Sequence, residues 1–189
     1  MTEPGLVVVG ASWGGMEAIG TMLGQLAATN QLSLAVAQHR GQDADGALLR
    51  YLQRRSRLPV LEAHDKEPIE PGRVYLAPSD YHLLVDEGFF ALSTEGDVRF
   101  SRPSIDLLFE TAADAYGAGV VAVVLTGAND DGCRGMRAVK DAGGRTIAQD
   151  PETAERAEMP LAAIGSGAVD DVLPLDEIAC ELNRLGRFA

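Results

Sequence analysis

The chain has 189 residues, 16 Lys and Arg against 28 Asp and Glu, and a net charge of −12. That balance argues against nucleic acid or an anionic membrane surface as a partner, because phosphate binding needs clustered Lys and Arg. Hydrophobic content of 46% and charged content of 23% are those of a globular protein, and no apolar run approaches the roughly 20 residues that span a bilayer. Cys133 and Cys180 lack CxxC spacing and build no metal framework; they read as reduced thiols of a cytoplasmic protein. Glu3 and the absence of a basic n-region argue against a signal peptide. Length and the lack of a linker or repeat fit one domain, residues 1–189.

The pattern starts at Val7-Val8-Val9, a β-branched run that reads as a strand buried on both faces, as in a parallel sheet. It runs into Gly10-Ala11-Ser12-Trp13-Gly14-Gly15, after which Met16, Ile19, Leu23 and Leu26 repeat at helical spacing. A second buried strand spans Leu32 to Gln38 and ends at His39. Gly41 to Gly46 is a polar loop, followed by a short amphipathic helix with Leu48, Leu49 and Leu52. Brief strands are expected at Pro59 to Glu62 and Arg73 to Ala77. His82–Val85 and Phe89–Leu92, joined across Asp86-Glu87-Gly88, read as a β-hairpin extending the sheet at an edge. Arg102-Pro103-Ser104-Ile105-Asp106 has the order of a helix start. Val120 to Leu125 is a further buried strand, closed by the loop Thr126 to Gly132 and a helix through Met136 and Val139. Thr146 to Ala148, a last strand within Ala168 to Val172, and a final helix with Ile178, Leu182 and Leu185 complete the chain. Strands alternating with helices imply an α/β, doubly wound, mostly parallel, Rossmann-like sheet.

Gly10-Ala11-Ser12-Trp13-Gly14 matches G-x-S-x-G in the strand–turn–helix context of a nucleophile elbow. A helix cap or a ligand-cradling loop are the competing readings. The dinucleotide glycine pattern and the P-loop are both unmet. In an open parallel sheet the ligand site lies beyond the carboxyl ends of the strands. Ser12, His39 and the Asn129-Asp130-Asp131 loop all fall there, and could supply nucleophile, base and orienting carboxylate. Spacing does not choose between Asp130 and Asp131. The order Ser, His, Asp is not that of the α/β-hydrolases. His64 reads as a solvated side chain and His82 as a half-buried cross-strand residue. Trp13 either lines a substrate groove or packs on the sheet edge. Arg102 has the fork geometry for a substrate carboxylate. Asp43, Asp45, Asp150, Asp170 and Asp171 read as loop or surface carboxylates, with no metal site.

The ordered set Gly10-Ala11-Ser12 with Gly14-Gly15, Gln38-His39, Tyr75-Leu76-Ala77-Pro78, His82-Leu83, Arg102 to Asp106, Leu125-Thr126-Gly127 with Asp131-Gly132 and Gly135-Met136, Thr146 to Asp150, Met159-Pro160 and Gly167 to Asp170 resembles the catalytic domain of the chemotaxis receptor methylesterases, the CheB family. The resemblance implies a cytoplasmic Ser-His-Asp hydrolase that needs no cofactor. It would remove methyl groups from glutamate methyl esters on chemoreceptor cytoplasmic helices, or a related methylated signalling protein, with some members deamidating glutamines. Carried onto this sequence it makes Ser12 the nucleophile, His39 the general base and Asp131, before Gly132, the orienting carboxylate. It also suggests a separate receiver domain or a methyltransferase as partners, because the chain starts at the catalytic strand. Departures lie at Trp13, where the family has Thr, and at Ala128 and Asn129, where it has Met and Gly. The extra carboxylate of Asp130 is expected to repel its neighbour and raise one carboxyl pKa. A weakly or non-catalytic binding module in a signalling assembly is the alternative.

Overall fold

Alternate residues of a strand face opposite sides of a sheet, and the first strand is buried on both. The computed structural model describes residues 5–39, 46–98 and 101–186. Its strands are β1 (Leu6–Ala11), β2 (Leu34–Gln38), β3 (Val60–Glu62), β4 (Val74–Leu76), β5 (His82–Asp86), β6 (Phe89–Ser93), β7 (Val120–Val124), β8 (Arg145–Gln149) and β9 (Asp171–Leu173). Its helices are α1 (Gly15–Gln25), α2 (Ala47–Arg55), α3 (Ile105–Tyr116), α4 (Cys133–Asp141), α5 (Glu158–Gly165) and α6 (Leu175–Leu185). Seven strands form one sheet in the order β3-β4-β2-β1-β7-β8-β9, and every pairing in it is parallel.

Val7, Val9 and Ala11 face one core with Ile19, Met22 and Leu23 of α1, Leu52 of α2 and Ile178 and Leu182 of α6. Leu6 and Val8 face the other, with Leu108 and Phe109 of α3, Met136 and Val139 of α4 and Met159 of α5. Burial of each such side chain contributes about 1.5–3 kcal/mol, so both faces hold β1 at the centre. Sequence order runs from β1 outward to β2 on one side and β7 on the other. Their carboxyl ends therefore meet at the switch point where ligands of such sheets bind.

Three features depart from the sequence reading. The hairpin is not an edge of the main sheet; β5 and β6 form their own antiparallel pair. Both its edges are satisfied locally. The Val85 amide donates to Thr111 Oγ1 of α3 at 3.0 Å, and on the opposite edge the Phe90 carbonyl accepts from the Lys66 amide while the Phe90 amide donates to the Glu67 carbonyl. Its apolar side, Leu83, Val85 and Phe90, packs into the α3 core. Helix α5 escaped the sequence reading because Pro160 interrupts the pattern. That proline sits in the first turn, where its missing N–H has no intrahelical partner to lose. The last strand is Asp171–Leu173, displaced towards the C-terminus of the expected segment. The polar loop before α2, with Asp43 and Asp45, lies mostly outside the described residues.

Candidate active site

β1 ends at Ala11 and the chain turns at Ser12. The Ser12 amide donates to the Thr126 carbonyl at 2.9 Å, and the Ser12 carbonyl accepts from the Gly15 amide at 2.9 Å. Gly14 adopts φ 76°, a left-handed conformation open to glycine, which lets α1 begin at once. No side chain caps that helix start. Among the described residues the amides of Trp13 and Gly14 make no hydrogen bond. Open N–H groups at the positive end of a helix therefore lie next to the Ser12 hydroxyl. Two buried side chains to which the sequence reading gave no role fix this turn. Gln38 Nε2 donates to the Ser12 carbonyl at 2.8 Å and to the His39 carbonyl at 2.9 Å, and Thr126 Oγ1 donates to the Trp13 carbonyl at 2.9 Å.

The β1–β2 register pairs Ala11 with Gln38, so Ser12 and His39 leave the ends of neighbouring strands side by side. The His39 side chain is 9% exposed and Asp131 is fully buried. His39 Nε2 lies 2.8 Å from Asp131 Oδ2. A carboxylate accepts only, so Nε2 carries the proton and Nδ1 keeps the lone pair. Nδ1 faces Asn129 Nδ2 at 3.2 Å and Ser101 Oγ at 3.4 Å. Among the described residues no hydrogen bond joins Ser12 Oγ to the imidazole; in unliganded sites such contacts are often long.

Asp131 is held by the start of α3. Its Oδ2 accepts from the Ile105 amide at 2.7 Å and its Oδ1 from the Asp106 amide at 3.0 Å and Ser104 Oγ at 3.3 Å. Burial raises the cost of ionising this carboxyl. The hydrogen bonds from His39 and from the Ile105 and Asp106 amides outweigh it and hold the pKa below the usual carboxylate value. The expected upward shift from Asp130 is therefore not seen at Asp131.

The arrangement is reciprocal. Fully buried Asp106, in the first turn of α3, accepts at Oδ1 from the Gly132 and Gly135 amides, both at 2.9 Å. Each of α3 and α4 thus has its N-terminus filled by a carboxylate from the start of the other, Asp131 just before α4 and Asp106 in the first turn of α3. The two helices come close enough because residue 135 is glycine. A Cβ there would lie 2.5 Å from Phe109 Cβ and 3.0 Å from the Asp106 carbonyl. Ser104 was legible as a helix cap, and its Oγ accepts from the Leu107 amide at 3.3 Å. That the same helix start would receive Asp131 was not legible.

Trp13 is 61% exposed and does not pack on the sheet edge. Its Nε1 donates to Glu155 Oε1 at 3.0 Å, and the Arg156 guanidinium lies 5.7 Å from the ring centroid. Arg102 has partners within the fold. Its Nε donates to Asp80 Oδ1 at 3.0 Å and its Nη1 to the Thr94 and Glu95 carbonyls, both at 2.9 Å. The carboxylate its fork meets is Asp80, and the residue clamps the segment leading to α3. His82 is fully buried and not half-buried; its Nδ1 accepts from the Ser104 amide at 3.1 Å and its Nε2 faces the Gly96 carbonyl at 3.2 Å. His64 is exposed. Asp170 pairs with Lys140 and Asp171 with Arg145, and Asp150 caps a turn through the Glu152 amide. Among the described residues no group of His, Cys, Asp and Glu could hold a metal ion.

Comparison with known proteins bears on this geometry. Residues 7–182 match the family model of the CheB methylesterases. A relative in Leptospira interrogans is 44% identical over 174 residues, covering 92% of this chain and 90% of its own length. An Anaeromyxobacter dehalogenans protein named protein-glutamate methylesterase/protein-glutamine glutaminase 2 is 43% identical over 182 residues. The match covers 96% of this chain and 53% of that protein, so the chain spans about half of that longer relative. The crystal structure of the Thermotoga maritima CheB methylesterase catalytic domain superposes with a TM-score of 0.93 at 35% identity, covering 96% of this chain and 98% of that one. With the parallel sheet, the Ser12 turn and the His39–Asp131 pair in place, the chain belongs to the CheB methylesterase family.

Proposed function

We propose that this domain is a serine hydrolase that cleaves glutamate γ-methyl esters on the cytoplasmic helices of methyl-accepting chemoreceptors, or on a related methylated signalling protein, releasing methanol. The observation that carries the reading is the His39 Nε2–Asp131 Oδ2 contact of 2.8 Å beside the Ser12 turn. Ser12 Oγ attacks the ester carbonyl as its proton passes to His39 Nδ1. The ionised Asp131 holds Nε2–H and stabilises the imidazolium that forms. The Trp13 and Gly14 amides at the start of α1 receive the oxyanion, where fixed donors act at no reorganisation cost. His39 returns the proton to the departing methoxide, and methanol leaves. Water then enters and attacks the acyl carbon as His39 takes its proton, and His39 returns that proton to Ser12 Oγ as the acyl bond breaks, leaving a glutamate side chain and free Ser12. None of these steps calls on a cofactor.

The names of relatives extend the proposal to glutamine deamidation, in which the same acyl-enzyme forms with ammonia as the leaving group. We place the reaction in the cytoplasm; no described helix is long and apolar enough to cross a membrane. Trp13, exposed beside Ser12, is the proposed wall against which substrate docks. The test is methanol release from a methylated receptor cytoplasmic fragment by the protein and by its Ser12→Ala variant. Release that disappears in the folded variant supports the reading. Undiminished release removes Ser12 as nucleophile.

A further inference from the structure

The resting site has its base occupied. His39 Nδ1 carries the lone pair that must accept the Ser12 proton, yet it faces Asn129 Nδ2 at 3.2 Å. The orientation of the Asn129 amide is fixed by its other end: Oδ1 accepts from the Asp131 amide at 3.2 Å. The oxygen is therefore committed to Asp131 and the NH₂ group, which can only donate, is aimed at the imidazole. A weaker second donor, Ser101 Oγ, lies 3.4 Å from the same nitrogen. Asn129 is half-buried in the loop between β7 and α4, between exposed Ala128 and exposed Asp130, so packing does not lock its side chain as it locks Asp131.

We propose that Asn129 is a positioning residue that caps the proton-accepting nitrogen of His39 and holds Ser12 unactivated until an occupant of the site displaces it. The proposal rests on the roles given above to Ser12 and His39. A lone pair pointed at one donor is not available to another, so the Asn129 contact and a Ser12–His39 hydrogen bond exclude each other. Asp131 sets which nitrogen is protonated, and Asn129 sets whether the other is open. The amide is neutral, so its withdrawal leaves the charge of the site unchanged. The Asn129 contribution to the cost of opening is one neutral hydrogen bond, which limits its restraint to about two- to ten-fold in rate.

The experiment measures the second-order rate at which a small alkyl fluorophosphonate labels Ser12, read by intact mass. In that reaction Ser12 Oγ bonds to phosphorus, fluoride leaves, and the hydroxyl proton passes through His39 Nδ1 to solvent. Asn129→Ala removes the cap and should label about two- to ten-fold faster than wild type. Asn129→Asp keeps an acceptor for the Asp131 amide but puts an oxygen where the N–H was. It draws a proton onto Nδ1, closes the base, and should label more slowly than wild type. In the Ala variant the ¹⁵N resonance of His39 Nδ1 should also move towards that of a free imidazole lone pair. Asn129→Ala labelled no faster than wild type overturns the proposal, whatever the resonance does. Both variants labelled faster would indicate a loosened loop and overturn it as well. If wild type is not labelled at Ser12, the nucleophile reading fails first and the cap with it.

Discussion

The starts of α1 and α3 are built from the same parts and left in opposite states. At α3 the cap is Ser104, and the Ile105 and Asp106 amides are filled by the buried carboxylate of Asp131. At α1 the cap is Gly14 with no side-chain bond, and among the described residues the Trp13 and Gly14 amides have no partner beside an exposed indole. A helix N-terminus favours an anion in either place. The closed one keeps a permanent anion that orients His39. In the proposed mechanism the open one receives a charge that exists only while the ester carbonyl is under attack. The fold makes one anion site structural and leaves the other for chemistry.

The comparison can be tested by emptying the closed site. Asp131→Asn keeps the shape but leaves a neutral amide against His39 Nε2, and can donate where only an acceptor fits. Turnover should fall by about 10³–10⁴-fold, as wrong-tautomer variants of such triads do, measured as methanol release at saturating substrate. Stability should show the same loss through its pH dependence. The Asp131 carboxyl is held below its unfolded value of about 3.9. Its contribution is therefore complete above that pH and is lost as pH falls through the lower folded value. Urea midpoints between pH 5 and pH 2 should fall more steeply for wild type than for Asp131→Asn.

Asp106 tests the reciprocal arm. Asp106→Ala leaves the Gly132 and Gly135 amides without their carboxylate and should cost about 1–3 kcal/mol of stability in urea unfolding. It should also lower kcat more than it changes KM, because the Asp131 segment loses its anchor. Asp106→Asn retains an acceptor oxygen and should recover most of both. The smallest effect belongs far from either helix start. The hydrogen bond from Arg184 pulls the Glu181 carboxyl down to about 2, with burial opposing and Arg145 assisting. Glu181→Gln should cost about 1 kcal/mol, because its half-buried carboxylate is paired with two solvent-reached arginines, and leave turnover unchanged. The wild-type advantage should be present above about pH 4.3 and fade as pH falls towards about 2.

What the sequence disclosed follows from how local each signal is. The runs at Val7–Val9 and Leu32–Gln38 state both that strands exist and where they end, which places Ser12 and His39 at the carboxyl edge. The hairpin is legible at Gly88 because turn chemistry is local. Its separation from the main sheet is not, since that depends on Thr111 of α3 reaching the Val85 amide. The choice between Asp130 and Asp131 follows from which carboxylate meets the start of α3, a contact made across 26 residues. The partners of Arg102 were not legible for the same reason: a fork-shaped cation reveals nothing about Asp80 and the carbonyls it meets. Asn129 sits plainly in the loop, but its effect depends on which end of an amide faces His39.

The account stands most directly on the covalent intermediate. Turnover of a γ-methyl glutamyl peptide should be quenched within the first cycle and the adduct located by peptide mass mapping. The account predicts an acyl group, the peptide less methanol, on the fragment containing Ser12, absent in Ser12→Ala along with methanol release. Methanol release with no adduct at Ser12, continuing in the Ser12→Ala variant, would contradict it.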